Sequence, residues 1–253
     1  MSVGFPRFVS SVGGAGILLV RAVGCFPSVV ARGDARRDLF RQLYATGIRT
    51  LPVVTVVSLF MGMILALQVG VELARFNQES YLGAAVMLTL LREMAAFCCG
   101  ICLSACVGSA IAAELGTMKV NEEIDALRVM GIPPVRFLVA PRVLALVLMA
   151  PVVAFYCAMV GTLGGGIVGM TQLRVDFGQY AASAVWMASG RDLALGLLKA
   201  TVFGLLVGVI SSSEGLGTAL GATGVGKSTQ RSVIVSFLAI LVSGYMISRL
   251  FCE

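Results

Sequence analysis

Histidine is absent from this chain of 253 residues, and charge is scarce: 13% of its residues are Asp, Glu, Lys or Arg. Without an imidazole there is no His-based general acid or base and no His ligand for a metal. Average soluble domains carry about 25% charged residues, so roughly half the usual complement is missing. What fills the space is apolar: 58% hydrophobic residues and a mean hydropathy of +0.96. Runs of about 20 apolar residues are what a bilayer asks of a helix. The composition therefore describes one integral membrane domain, with no room for a separate soluble catalytic domain. The N-terminus has no compact apolar stretch followed by a small-residue cleavage site, and no long Ser/Arg-rich leader. Neither a removed signal peptide nor a transit peptide is expected, which favours a bacterial inner membrane.

A net charge of +6 is compatible with nucleic-acid binding, but the basic residues are spread as a membrane protein spreads them. Arg7, Arg21, Arg32, Arg36, Arg37, Arg41 and Arg49 all precede the first span. Lys119, Arg128, Arg136, Arg142, Lys227 and Arg231 fall on the same side in a five-span topology, leaving Arg75, Arg174, Arg191 and Arg249 opposite. The bias puts the N-terminus in the cytoplasm and argues against a nucleic-acid partner.

The expected fold is all-α, with five spans over about 51–71, 82–113, 135–169, 193–212 and 232–251, forming a permease-like domain over 51–253. Residues 1–50 are expected to lie on the membrane surface. The apolar stretch 13–31 is broken by Arg21 and Pro27, and 36–48 carries Leu39, Phe40, Leu43, Tyr44 and Ile48 on one face, so both read as interfacial helices. The second span carries Ala96, Gly100, Ser104, Gly108 and Ala112, each four apart. Such a row lets helices approach closely, within the subunit or across a dimer.

Between spans two and three lies the longest polar interruption, Ala112 to Arg142. Thr117 is a plausible N-cap, and Val120, Ile124 and Leu127 form one apolar stripe. Lys119, Asn121, Glu122, Glu123, Asp125 and Arg128 cover the rest. Beyond Met130, Gly131 suits a left-handed cap, and Pro133-Pro134 forbid continuation. The pattern predicts one short amphipathic helix over 117–131. It is either a solvated connector or a rigid coupling element carrying displacement to a soluble partner.

Three patterns bear on chemistry. Gly221–Ser228, GATGVGKS, matches the P-loop pattern letter for letter. A P-loop must follow a buried strand in a parallel sheet, however, and here the stretch reads as a flexible loop between spans, so no nucleotide is expected. Cys98, Cys102 and Cys106 share a helical face, but thiols at that spacing rarely close a tetrahedral site, and buried cysteine behaves as a small hydrophobe. No metal or cofactor is expected. Arg92, Glu93 and Lys199 fall inside spans, where charge is expensive and retained for a reason. They either neutralise one another or line a polar patch that meets a lipid headgroup, with Tyr81 at the outer end of the second span a further candidate.

The stretch GSAIAAELGTMKVNEEIDALRVMGIPPVRFLVAPRVLA resembles the signature of MlaE-type permeases, the membrane subunits of MCE-associated ABC transporters. RQLYATGIRT, MGMILALQ, LLREM and LLKATVFGLLVGVI resemble further family segments in the family's order, together covering roughly residues 40 to 250. The resemblance implies a homodimeric permease, not itself an enzyme. It implies work with a cytoplasmic ATPase and a periplasmic MCE-domain protein to move phospholipid. It places Arg92 and Glu93 beside a lipid cavity. Glu122, Glu123, Asp125, Leu127, Met130 and Gly131 become the ATPase-coupling residues. Two positions depart from the family pattern: Ala95-Ala96 stand where Gly-Pro is usual, and Cys106 where an arginine is usual. From the residues alone, a lipid-independent channel or a membrane scaffold remains the alternative.

Overall fold

A computed structural model describes residues 33–173, 175–219 and 221–251, and every regular element among them is helical. Five helical segments are long and apolar enough to cross a membrane: Leu39–Arg75, Glu79–Val120, Val135–Thr171, Gly190–Leu216 and Ala222–Phe251. In hydrocarbon every backbone N–H and C=O must be satisfied internally, and a helix does this within one segment. The number of spans agrees with the sequence; their ends lie further out.

The first described helix, α1 (Gly33–Gly47), passes through a tight turn at Ile48–Thr50 into α2 (Leu51–Arg75). Thr50 Oγ1 donates to Thr46 O at 2.7 Å and ties that turn to α1. Glu72 and Arg75, expected in a loop, pair with each other in the last turn of α2. Of the predicted apolar face of 36–48, Leu39 packs on Ala140 and Leu144, while Phe40, Tyr44 and Ile48 are exposed. The predicted interfacial helix at 13–31 lies outside the described residues.

The second span is a chain of pieces: a turn at Glu79–Tyr81, α3 (Leu82–Thr89), a π-turn at Leu90–Met94, α4 (Ala95–Leu103), a second π-turn at Ser104–Gly108, and α5 (Ser109–Val120). Its 42 residues would measure about 63 Å at 1.5 Å per residue, twice the hydrocarbon thickness of about 30 Å. Ala95-Ala96 produce no break; the widened turn just before them is the only irregularity there.

Residues 117–131 do not form the single helix expected of them. α5 runs on through Val120, and Thr117 is not an N-cap: its hydroxyl donates back to Ala113 O at 2.9 Å. The chain then breaks at Asn121-Glu122, with Glu122 left-handed at φ +60°, before α6 (Glu123–Val129). The stop is as the sequence indicates. Gly131 has φ +74°, Gly131 N–H donates to Arg128 O and Ile132 N–H to Leu127 O, both at 3.0 Å. This is a Schellman cap.

The third span has a π-turn at Val135–Val139 and then α7 (Ala140–Thr171), which carries Pro151 inside it. α8 (Phe177–Met187) follows, capped by Asp176, whose Oδ2 accepts from Gln179 N–H at 3.2 Å. α9 (Gly190–Leu216) and α10 (Ala222–Phe251) complete the described chain. Gly221–Ser228 is therefore not a loop: it opens α10, with only Gly221 left-handed at φ +93°.

The chain divides into two compact units. One comprises Leu51–Cys99 and Ala150–Thr201. Its core holds Ala66, Leu82, Val86, Leu90, Val168, Val175 and Tyr180. There α2 and α7 meet backbone to backbone: a Cβ on Gly62 would lie 1.9 Å from Gly161 O, so only glycine fits. The other unit comprises the described part of Met1–Thr50 together with Gly100–Met149 and Val202–Glu253. Val139, Val143 and Val209 cluster in it. It also buries a line of small residues on α10, including Gly224, Ser228, Ser232 and Ser236.

Candidate functional site: a charged turn beside an apolar groove

Two ion pairs join the second span to α9 in the first of these units. Lys199 Nζ donates to Glu93 Oε1 at 2.5 Å and to Arg92 O at 3.0 Å. Arg92 Nε donates to Asp192 Oδ1 at 2.6 Å. Lys199 is 3% exposed and Asp192 5%, while the Arg92 side chain is half exposed.

The local backbone explains the convergence. On α9, Asp192, Gly196 and Lys199 stand at i, i+4 and i+7, which is one helical face. A Cβ on Gly196 would sit 2.0 Å from Leu91 O, so the glycine lets the two helices touch and both charges reach across. On the other side, Arg92 and Glu93 occupy the π-turn. Ala95 N–H there bonds five residues back, to Leu90 O, and the Arg92 carbonyl accepts from Lys199. Single π-turns concentrate at functional positions because they re-aim side chains. The predicted trio is thus brought together. Asp192, placed by the sequence in an extramembrane linker, is the fourth member. Its spacing to Gly196 and Lys199 was the available signal. Tyr81 stays apart, exposed in the turn at Glu79–Tyr81, eleven residues or roughly 16 Å of helix before Arg92.

The same π-turn borders a groove of about 510 Å³. Val57, Phe60, Ile64 and Gln68 of α2 line it together with Met94, the last residue of the turn. Gln68 is the lone polar side chain among its lining residues. Met94 is the residue through which the turn reaches the groove; the four charged side chains are not among its lining residues.

In the other unit, α6 is clasped to the end of α5. Lys119 Nζ donates to Asp125 Oδ2 and Arg128 Nη1 to Asp125 Oδ1, each at 2.8 Å. The hydrogen bond from Lys119, joined by the charges of Lys119 and Arg128, holds the Asp125 carboxyl below its ordinary value. Ile124 is fully buried and Leu127 half-buried, so the predicted stripe does face the protein; Glu122 and Glu123 are exposed. Past the stripe the predicted Met130 is exposed, and with it stand Val129, 89% exposed, and Ile132, neither of which was singled out from the sequence.

The predicted small-residue row is buried inside the chain. A Cβ on Gly108 would lie 2.8 Å from Ser211 Oγ, and one on Gly100 would lie 3.2 Å from Phe203 Cδ2. Ala96, Ser104 and Ala112 are buried too. Cys98 and Cys102 are buried and Cys106 is half-buried, its thiol in a span. In the P-loop-like stretch, Ser228 Oγ is turned inward: it meets Thr218 Oγ1 at 3.0 Å and donates to Val225 O at 2.9 Å. That leaves the hydroxyl engaged with the protein, on a helix that no strand precedes among the described residues.

These features define a multi-span helical membrane protein. The chain belongs to the MlaE permease family of ABC transporters: residues 39–250 match the family described as Permease MlaE. A probable ABC transporter permease of Rickettsia prowazekii is 37% identical over 84% of this chain and 82% of its own length. The intermembrane phospholipid transport system permease protein MlaE of Haemophilus influenzae is 30% identical over 96% of this chain and 97% of its own. Protein TRIGALACTOSYLDIACYLGLYCEROL 1 of Arabidopsis thaliana, a chloroplastic protein, is 34% identical over 86% of this chain and 62% of its own.

Proposed function

We propose that this permease moves phospholipid, driven by ATP hydrolysis in a separate cytoplasmic ATPase, as a homodimer in the bacterial inner membrane. It exchanges lipid with an MCE-domain protein outside. One observation carries this reading: the π-turn at Leu90–Met94 presents a charged cluster on Arg92 and Glu93 and borders an apolar groove through Met94. Acyl chains suit the groove, and a phosphate suits the half-exposed Arg92 guanidinium, whose Nε is held by Asp192. The name of the Haemophilus influenzae relative supports phospholipid as cargo.

Five alternating crossings with the basic N-terminal residues in the cytoplasm put α6 in the cytoplasm and α8 outside. Glu122, Glu123, Val129 and Met130 then form the surface that meets the ATPase, and the Schellman cap at Gly131 holds α6 at a fixed angle. The test is purification of the intact complex followed by a subunit inventory and a mass spectrum of co-purified lipid. Co-isolation of an ATPase and phospholipid is expected. Ion conductance with neither present would overturn the transport reading in favour of the channel or scaffold.

A further inference from the structure

α8 carries eleven residues, FGQYAASAVWM, without a single charge. One side of it is fixed. Tyr180 and Ala184 are buried, Tyr180 OH donates to Thr162 O at 2.9 Å, and a Cβ on Gly83 would lie 2.1 Å from Tyr180 O. The helix is therefore seated directly on α3. The other side is bare: Val185 is 75% and Trp186 77% exposed, and Met187 is exposed with them. Phe76 and Tyr81, in the connection between spans one and two, are exposed as well, and the turn at Glu79–Tyr81 packs on α8. All of these residues belong to the same compact unit.

We propose that this aromatic-rich surface lies in the headgroup layer of the bilayer and binds lipid there, with α8 lying flat as an interfacial platform. The linkers keep α8 next to its neighbouring spans. Only Ala188 and Ser189 separate α8 from the start of α9, and the three Cα–Cα steps from Met187 to Gly190 reach at most about 11 Å. Residues 172–176 tether the other end to α7. A helix so tied stays beside the ends of α7 and α9. Its chemistry matches the headgroup layer: Trp, Tyr and Phe around a charge-free face is the composition of the membrane–water interface. A helix exposed to water would carry charge on that side. The surface also continues the exposed apolar side of α2, where Leu67 and Val71 face outward.

Trp186 is the single tryptophan of the chain, so fluorescence excited at the red edge, where tyrosine does not absorb, reports on this surface alone. The chain is reconstituted in vesicles of phosphatidylcholine and phosphatidylglycerol, with and without lipid brominated on the upper acyl chain. An interfacial helix sits about 5–10 Å into the headgroup–acyl boundary, so the expected result is blue-shifted emission that loses about half its intensity to these bromines. Iodide in the aqueous phase should quench weakly. Water-like emission, quenched by iodide and blind to bromine, overturns the proposal. So does blue-shifted emission blind to both quenchers, which would mean that protein covers the surface. Trp186→Phe must abolish the signal, fixing its source. The outcome is independent of whether the chain transports phospholipid.

Discussion

Asp125 holds Lys119 across the break between α5 and α6, with Nζ and Oδ2 2.8 Å apart. Arg128 takes the other carboxylate oxygen. Two helices that the sequence writes as one are thereby kept at a set angle, although Glu122 between them is left-handed. An angle held by three side chains transmits a push; a free joint would absorb it.

Asp125→Asn should therefore loosen α6 without unfolding the spans. The expected outcome is faster hydrogen exchange over 121–131 and weaker coupling of ATP hydrolysis to transport, with assembly retained. The pH sign follows from the carboxyl being held below its ordinary value, chiefly by Lys119. The clasp is fully present above the unfolded carboxylate value of about 3.9. It is lost only as pH falls through the lower folded value. Exchange over 121–131 should thus be insensitive to protonation of this clasp from pH 5 to 8, after correction for the intrinsic rate. A rise within that window would assign the joint to another group.

The Lys199–Glu93 pair calls for a different test, because Lys199 is almost fully buried and Glu93 only partly. Glu93→Ala leaves a buried ammonium without its carboxylate partner, a change that costs on the order of 3 kcal/mol in such sites. Replacing both, as Glu93→Leu with Lys199→Met, should recover most of that stability. Phospholipid co-purification should not recover in the double variant if the charges serve the cargo. Should lipid retention return with stability, the pair is structural only.

Gly196→Ala separates packing from charge. The new methyl would meet Leu91 O at 2.0 Å, and the obstacle is backbone, which cannot swing aside. Overpacking of this kind costs about 1–3 kcal/mol. It should also pull Asp192 and Lys199 back from the π-turn, lowering both melting temperature and lipid retention. A variant with unchanged melting temperature would show that the two helices have slack.

The sequence displayed the spans because twenty-residue apolar runs are an all-or-none signal in a bilayer. It displayed the stop at Gly131 because a left-handed cap demands a particular residue. The break at Asn121-Glu122 had no such marker. Neither residue is Gly or Pro, and Val120, Ile124 and Leu127 keep helical spacing straight across it. The π-turns are equally silent, since an extra residue in a turn leaves no compositional trace. Asp192 was hidden by its charge, which ended the apolar run at 193 although α9 begins at Gly190. Gly221–Ser228 misled in the opposite sense. Its glycines read as loop, yet Gly224 and Ser228 are buried along one face of α10, and packing overrides propensity.

That last stretch carries its own prediction. Lys227 lies on an exposed position of α10 beside the inward-turned Ser228. Lys227→Ala should leave ATP hydrolysis by the assembled complex largely unchanged. If the isolated chain binds ATP and loses it on this change, the helix is a nucleotide site after all.

Glu122 sits where the backbone favours glycine. At φ +60° a non-glycine residue is held at a cost of order 1 kcal/mol or more, so Glu122→Gly should leave the melting temperature level or raise it. The exposed Glu122 carboxylate is free to reach a docked surface. If α6 docks on an ATPase, losing one exposed carboxylate removes a rim pair worth about 0–1 kcal/mol, and pull-down should weaken only slightly. Reversing both neighbours, Glu122→Lys with Glu123→Lys, replaces attraction by like-charge repulsion and should abolish both pull-down and lipid-stimulated ATPase activity. Gly131→Val is the matching control on the exit turn. No atom lies within 4 Å of its Cβ position, so any loss there comes from the left-handed backbone alone, about 1–3 kcal/mol. Full assembly and full transport in the double-lysine variant would reduce α6 to a connector.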